Sequence, residues 1–165
     1  MATYTDSLGF NKGSAAPHNA GLHKLTRYEV ELDFATIAAA RAAASATALA
    51  SGDVLEVLPV PAKSLVMHVG LEVITAGTAD LDLDVGDGAD ADGYIDGFDG
   101  DAVGSTASVH TLDTGATVGL TAGKYYADAD TIDLTLVGKV PGALKCRVWA
   151  LVLDAESRVG EVPGL

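Results

Sequence analysis

At 165 residues the chain is long enough to close one hydrophobic core, and with 48% hydrophobic but only 5% aromatic residues that core must be aliphatic. A net charge of −13 repels nucleic-acid phosphates and argues against sequence-independent binding to DNA or RNA. The single cysteine, Cys146, excludes an internal disulfide and any multi-cysteine metal site, and no apolar run of about 18 residues is available to span a membrane.

The charge is unevenly placed. Residues 1–27 carry Lys12, Lys24 and Arg27 against Asp6 alone, a balance of +2, which leaves −15 for residues 28–165. The first segment has Gly9, Gly13, Gly21 and Pro17 and no sustained period, so it reads as an extended N-terminal arm. It lacks a basic stretch followed by an apolar one, so no targeting signal is expected there. Residues 28–165 read as a single domain.

Tyr28–Phe34 alternates cleanly, with Val30 and Leu32 opposed to Glu29, Glu31 and Asp33; this is a half-buried strand. Residues 35–50 hold ten alanines in sixteen positions. They suit either a short helix, started at Thr36 and ended at Ser51-Gly52, or an ordered loop. Val54–Leu58 is a strand that Pro59 and Pro61 end or push to a sheet edge. Leu65, Met67, Val69, Leu71 and Val73 share one face of a long strand, with His68 and Glu72 on the other. Ala76–Thr78 is expected to turn that strand into a hairpin with Asp80–Val85.

Between Asp80 and Asp101 stand nine aspartates and five glycines with no Lys, Arg or Glu. Asp80–Val85 alternates Asp with Leu or Val, so one face is core and the other solvated. The remainder reads as tight acidic turns or as a calcium loop. With Gly93 set at the sixth position of an EF-hand loop, Asp90 and Asp92 fall on ligand positions, but Gly88 takes the first and the short Asp99 the twelfth. Asp87, Asp90, Asp92 and Asp96 remain as a looser calcium site, against solvated turns as the plainer reading. Asp96 and Asp99 are one of many carboxylate pairs, and nothing isolates them for glycoside hydrolysis.

Thr106–Leu112 is a further strand, Gly119–Lys124 holds a turn, and Thr131–Val137 alternates again. In the last strand, Leu144–Asp154, alternation sets Cys146 apart from Lys145 and Arg147, as a buried structural thiol. Its second face runs Lys145, Arg147, Trp149, Leu151, Leu153: charged at one end and apolar at the other, which calls for a covering partner. The whole is all-β, an antiparallel β-sandwich of jelly-roll-like form with at most one short helix.

No phosphate-cradling loop, G-x-S-x-G motif or cofactor motif is present, and no reaction is expected. His18 and His23 fall in the arm off metal spacing, His110 stands alone, and His68 suits a structural hydrogen bond beside Glu72. Tyr94, Phe98, Tyr125, Tyr126 and Trp149 are the residues a glycan-binding surface would use; core or subunit contact is their plainer role.

Asp53–Val66, Val69–Ala76, Leu81–Tyr94, Ile95–Phe98, Thr131–Leu136 and Val148–Asp154 together resemble the small head proteins of tailed bacteriophages. The resemblance implies a capsid cement (decoration) protein: a jelly-roll-like sandwich, commonly a homotrimer, made in the host cytoplasm. It would sit on the outer surface of the virion shell and bridge capsomers of the major capsid protein. Lys12, Lys24, Arg27, Trp149, Leu151 and Leu153 are then the contact residues. A carbohydrate- or calcium-binding β-sandwich module, associated with a tail or fibre, is the alternative.

Overall fold

The computed structural model describes residues 25–109 and 123–155. Two antiparallel sheets pack face to face. One, the contact sheet, runs β1 (Leu25–Asp33), β9 (Lys145–Asp154), β3 (Ser64–Thr75), with both β6 (Thr106–Val109) and β7 (Lys124–Tyr126) pairing to the far side of β3. The second, the acidic sheet, runs β2 (Val54–Val60), β8 (Asp130–Val137), β4 (Asp82–Asp87), β5 (Asp90–Asp99). This is the all-β sandwich that the alternating pattern predicts. Val66, Val69, Leu71, Val73, Cys146, Val148 and Ala150 from one sheet meet Leu83, Val85, Ile132, Leu134 and Leu136 from the other. The core is aliphatic, as the composition requires.

One helix is present among the described residues, α1 (Phe34–Ala43). Its cap is Asp33, not Thr36: Asp33 is still extended as the last residue of β1, and its carboxylate accepts from the Thr36 N–H at 3.2 Å. The helix stops well before Ser51-Gly52 because its only large anchors are Phe34, fully buried, and Ile37. Residues 44–53 are irregular and are tied back by the Arg41 Nε bond to the Thr47 carbonyl at 2.8 Å.

Three sequence expectations change. Strand β1 begins at Leu25, so Arg27 belongs to the sheet rather than to the arm; Lys12, Lys24, His18, His23 and His110 lie outside the described residues. The expected hairpin between β3 and β4 does not form: residues 76–81 carry the chain from one sheet to the other, and β4 pairs with β5 and β8 instead. Asp80 sits in that crossing at φ 61, held by the Asp101 carboxylate on its N–H. Finally, a bulge at Met67 shifts the alternation of β3 by one residue. Val66 therefore joins Val69 inside, while Leu65 and Met67 turn outward.

The aspartate tract is mostly strand. β4 and β5 form a hairpin around Gly88-Ala89, and Asp92-Gly93 lies within β5 rather than in a turn. Gly86 makes the close approach possible, since a Cβ there would stand 2.0 Å from the Asp90 carbonyl oxygen. Gly86→Ala is expected to cost about 2–3 kcal/mol by overpacking that hairpin, read as a fall in the thermal midpoint; an unchanged midpoint would show that the two strands are free to separate.

Candidate interaction face

The outer surface of the contact sheet is built of cross-strand rows set by register. At one end Asp33 and Glu31 lie opposite Lys145 and Arg147, and Arg147 lies opposite Glu72 on its other side. Arg147 reaches Glu72 at 2.8 Å and Glu29 and Glu31 at 3.4 Å, and Lys145 reaches Asp33 at 2.7 Å. This end is internally neutralised. In the middle, Trp149 lies across Gly70, where a Cβ would come within 2.2 Å of the indole. His68 meets that ring edge-on at 4.9 Å between centroids, and the Arg27 guanidinium stands 5.4 Å above it. Glu72 is thus taken by Arg147, and His68 packs with Trp149 rather than with Glu72.

At the other end the rows turn apolar. Leu25, Leu153, Leu65 and Tyr125 lie side by side across four strands, with Leu151 in the adjacent row. Leu25 and Tyr125 are each 54% exposed and Met67 is 40% exposed. Sequence periodicity found Trp149, Leu151 and Leu153 on this face. It missed Leu25, Leu65 and Tyr125, because strand order and the Met67 bulge bring them there.

Asp87, Asp90, Asp92 and Asp96 do not converge. No group of three or more His, Cys, Asp or Glu among the described residues is disposed to hold a metal ion. Asp87 is committed inside the sandwich, where Lys124 Nζ and the Tyr126 hydroxyl both donate to its Oδ2. The Ala89 and Asp90 N–H groups donate to its Oδ1 at 3.0 and 3.2 Å. The Tyr126 proton goes to Asp87, so the Tyr94 hydroxyl donates to Tyr126, at 2.7 Å. Burial opposes the Asp87 charge, but the bonds from Lys124, Tyr126 and Ala89 outweigh it and hold the carboxyl below its usual range. Burial first, then Asp87 beside it, pushes Tyr126 upward, and burial likewise raises Tyr94. This network links β4 and β5 of the acidic sheet to β7 of the contact sheet. It also removes Tyr94 and Tyr126 from any exposed aromatic surface; Phe98 packs on the core, and only Tyr125 and Trp149 remain on the outer face.

The outer surface of the other sheet is acidic throughout: Glu56 lies beside Asp133, and Asp82 beside Asp99. Burial raises Asp133 and Asp84, reinforced by neighbouring carboxylates, although Thr131 and the Gly97 N–H each donate a compensating bond. Cys146 is fully buried, and burial pushes its thiol up to about 12, the inert thiol expected from alternation.

A scan against protein-family models finds no match, and neither does a search of curated proteins. Solved structures do share the architecture. A chain in the acid-stable capsid of Helicobacter pylori bacteriophage KHP30 superposes with a TM-score of 0.52 at 13% identity, covering 81% of this chain and 94% of that one. This is a fold used in a phage capsid. A chain in the cyanophage Pam1 capsid (TM-score 0.44, 16% identity, 81% and 85% covered) and one in the capsid of Ralstonia phage GP4 (0.47, 16%, 94% and 91%) are similar more distantly.

The pH dependence follows from the signs. Asp87 has a depressed folded pKa, so its contribution is present above the ordinary carboxylate range and is lost as pH falls through the folded value. Asp87→Asn is expected to cost about 3 kcal/mol at pH 7, since it leaves the Lys124 charge without its carboxylate, and the gap from wild type should close below about pH 4. Asp133 has the opposite shift: its charge costs stability at neutral pH, and the cost is relieved as pH falls through the raised value. Asp133→Asn should therefore raise the melting temperature at pH 7 and lose that advantage in acid. Melting curves of the three proteins from pH 3 to 8 check both signs.

Proposed function

We propose that the chain is a virion structural protein of the cement (decoration) type, which binds the outer surface of a phage head and bridges capsomers of the major capsid protein. The observation that carries this reading is the uncovered apolar row Leu25–Leu153–Leu65–Tyr125, continued by Leu151 and Trp149. An apolar patch spanning four strands and bordered by neutralised ion pairs suits a protein contact. The fold shared with a chain in the KHP30 capsid supports the same reading. The acidic face opposite suits a solvated outward surface, since its carboxylates repel one another and resist close packing.

In this reading the molecule is a homo-oligomer, a trimer by preference, and residues 1–24 with Lys12 and Lys24 form a basic arm that reaches a neighbouring anionic surface. Several modest contacts held together in this way give avidity that none has alone. The protein is made in the host cytoplasm and resides on the virion surface. The calcium- or carbohydrate-binding reading gains no support from the side chains, because Asp87 is engaged by Lys124 and two of the five aromatics are buried with it.

Two measurements test the proposal. The purified chain should co-sediment with expanded capsids, and a Leu151→Ser, Leu153→Ser double variant should lose at least tenfold in affinity, about 1.4 kcal/mol, while melting near the wild-type temperature. Trp149 is the sole tryptophan, so its fluorescence reports the face directly. Capsid binding or self-association should shift its emission to the blue and shield it from acrylamide. Failure of the chain to co-sediment with any capsid of its own phage would overturn the proposal.

A further inference from the structure

We infer that the free edge of β1 is a β-augmentation site that takes up an extended, Lys- or Arg-bearing segment of another protein. The inference deepens the cement reading, which it uses only for the origin of that segment.

Sheet edges offer unpaired N–H and C=O groups, and proteins blunt them with short strands, proline, bulges or covering elements. Three of the edges here are blunted in these ways. In the acidic sheet, β2 carries Pro59 and a bulge between Glu56 and Leu58. At the opposite edge of that sheet, β5 has two register breaks against β4, and Gly97 with φ 61. On the far side of the contact sheet, β6 has four residues and β7 three. Strand β1 has none of these devices. It runs nine residues without proline, glycine or bulge, all nine in unbroken register with β9, and no described strand pairs with its other edge.

The register also identifies the groups on offer. The Phe34 N–H donates to the Leu144 carbonyl at 3.0 Å, one step beyond the Asp33–Lys145 pair. Bonded and non-bonded pairs alternate in an antiparallel ladder. Leu32, Val30, Tyr28 and Thr26 therefore exchange bonds with β9, and Arg27, Glu29 and Glu31 turn their N–H and C=O groups to the free edge. The inner side chains of β1 are only half covered as well. Tyr28, Val30 and Leu32 are partly exposed, and a cleft of about 460 Å³ opens beside Thr26, Tyr28 and Val152. An added strand completes that layer with its alternate apolar side chains.

Charge decides the occupant. The outward side chains along this edge are Arg27, Glu29, Glu31 and Asp33, an acidic excess on a chain of net charge −13. A second copy brings the same excess to the contact, and like charges across paired strands repel. A strand with Lys or Arg at alternate positions complements the row. Main-chain pairing supplies the affinity and the alternating side chains the selection.

The test uses the full chain, uniformly labelled with nitrogen-15, and a synthetic peptide of about nine residues alternating lysine and valine, the length of the free edge. In the free protein at low concentration, the Arg27, Glu29 and Glu31 amides should exchange quickly with solvent. Peptide should slow them about tenfold or more, in a salt-dependent manner. The same peptide methylated on alternate backbone nitrogens should do nothing. Glu29→Pro, which removes an N–H that β9 does not use, should stay folded and lose the protection; should that variant unfold, the methylated peptide still decides. The inference is overturned if these amides are already slow in the dilute free protein, if protection grows with protein concentration alone, or if peptide protects only the Leu65–Leu153 row. A folded Glu29→Pro protein that still co-sediments fully with capsids would leave the cement reading standing and remove this edge from it.

Discussion

Every second side chain of β9, from Cys146 to Val152, is closed into the core, and the pleat then dictates where the others point. Lys145, Arg147, Trp149, Leu151 and Leu153 have no choice but the outer face. Because β9 lies between β1 and β3, that face is not a single stripe but a grid, and each outward residue of β9 acquires a neighbour on both sides. The charged end of the grid neutralises itself through Arg147 and Lys145. The apolar end has no such internal solution, since Leu25, Leu65 and Leu153 already lie against one another and still face out. A contact with another macromolecule is what resolves it.

The two faces of the sandwich are therefore unlike for a physical reason. The acidic sheet presents Glu56, Asp82, Asp99 and Asp133 in cross-strand pairs, which raises the cost of covering it. The contact sheet pairs its charges and exposes its leucines. The domain thus has one side suited to docking and one suited to water, without any change of fold between them.

Holding two unlike sheets together falls partly to a polar device. Asp87 stands at the end of β4 and gathers Lys124 and Tyr126 from β7, with Tyr94 closing the chain of hydroxyls from β5. The three-residue β7 pairs only with β3 and has little else to hold it. Fully satisfied networks of this kind fix a unique arrangement, and the loss of one member leaves the rest exposed to their own desolvation cost. The same commitment explains why an aspartate that looks like a metal ligand in sequence is unavailable to a metal here.

Much of this was legible from residue order. Spacing of two told which side of β1, β4, β8 and β9 is core, and it placed Trp149, Leu151 and Leu153 outside and Cys146 inside, because side-chain direction along a strand is a local property of the backbone. Local reading failed where a single added residue or a change of partner intervened. The bulge at Met67 reversed Leu65 and Val66, and the crossing at Asp80 sent β4 to the other sheet rather than into a hairpin. Asp87 and Leu65 make the division plain. Their chemistry was visible from the start, but which groups stand within 3 Å of a carboxylate, and which leucines share a patch, depend on strands distant in sequence. Alternation along the chain settled inside from outside; only strand order and register, which are long-range choices made by packing, settled what meets what.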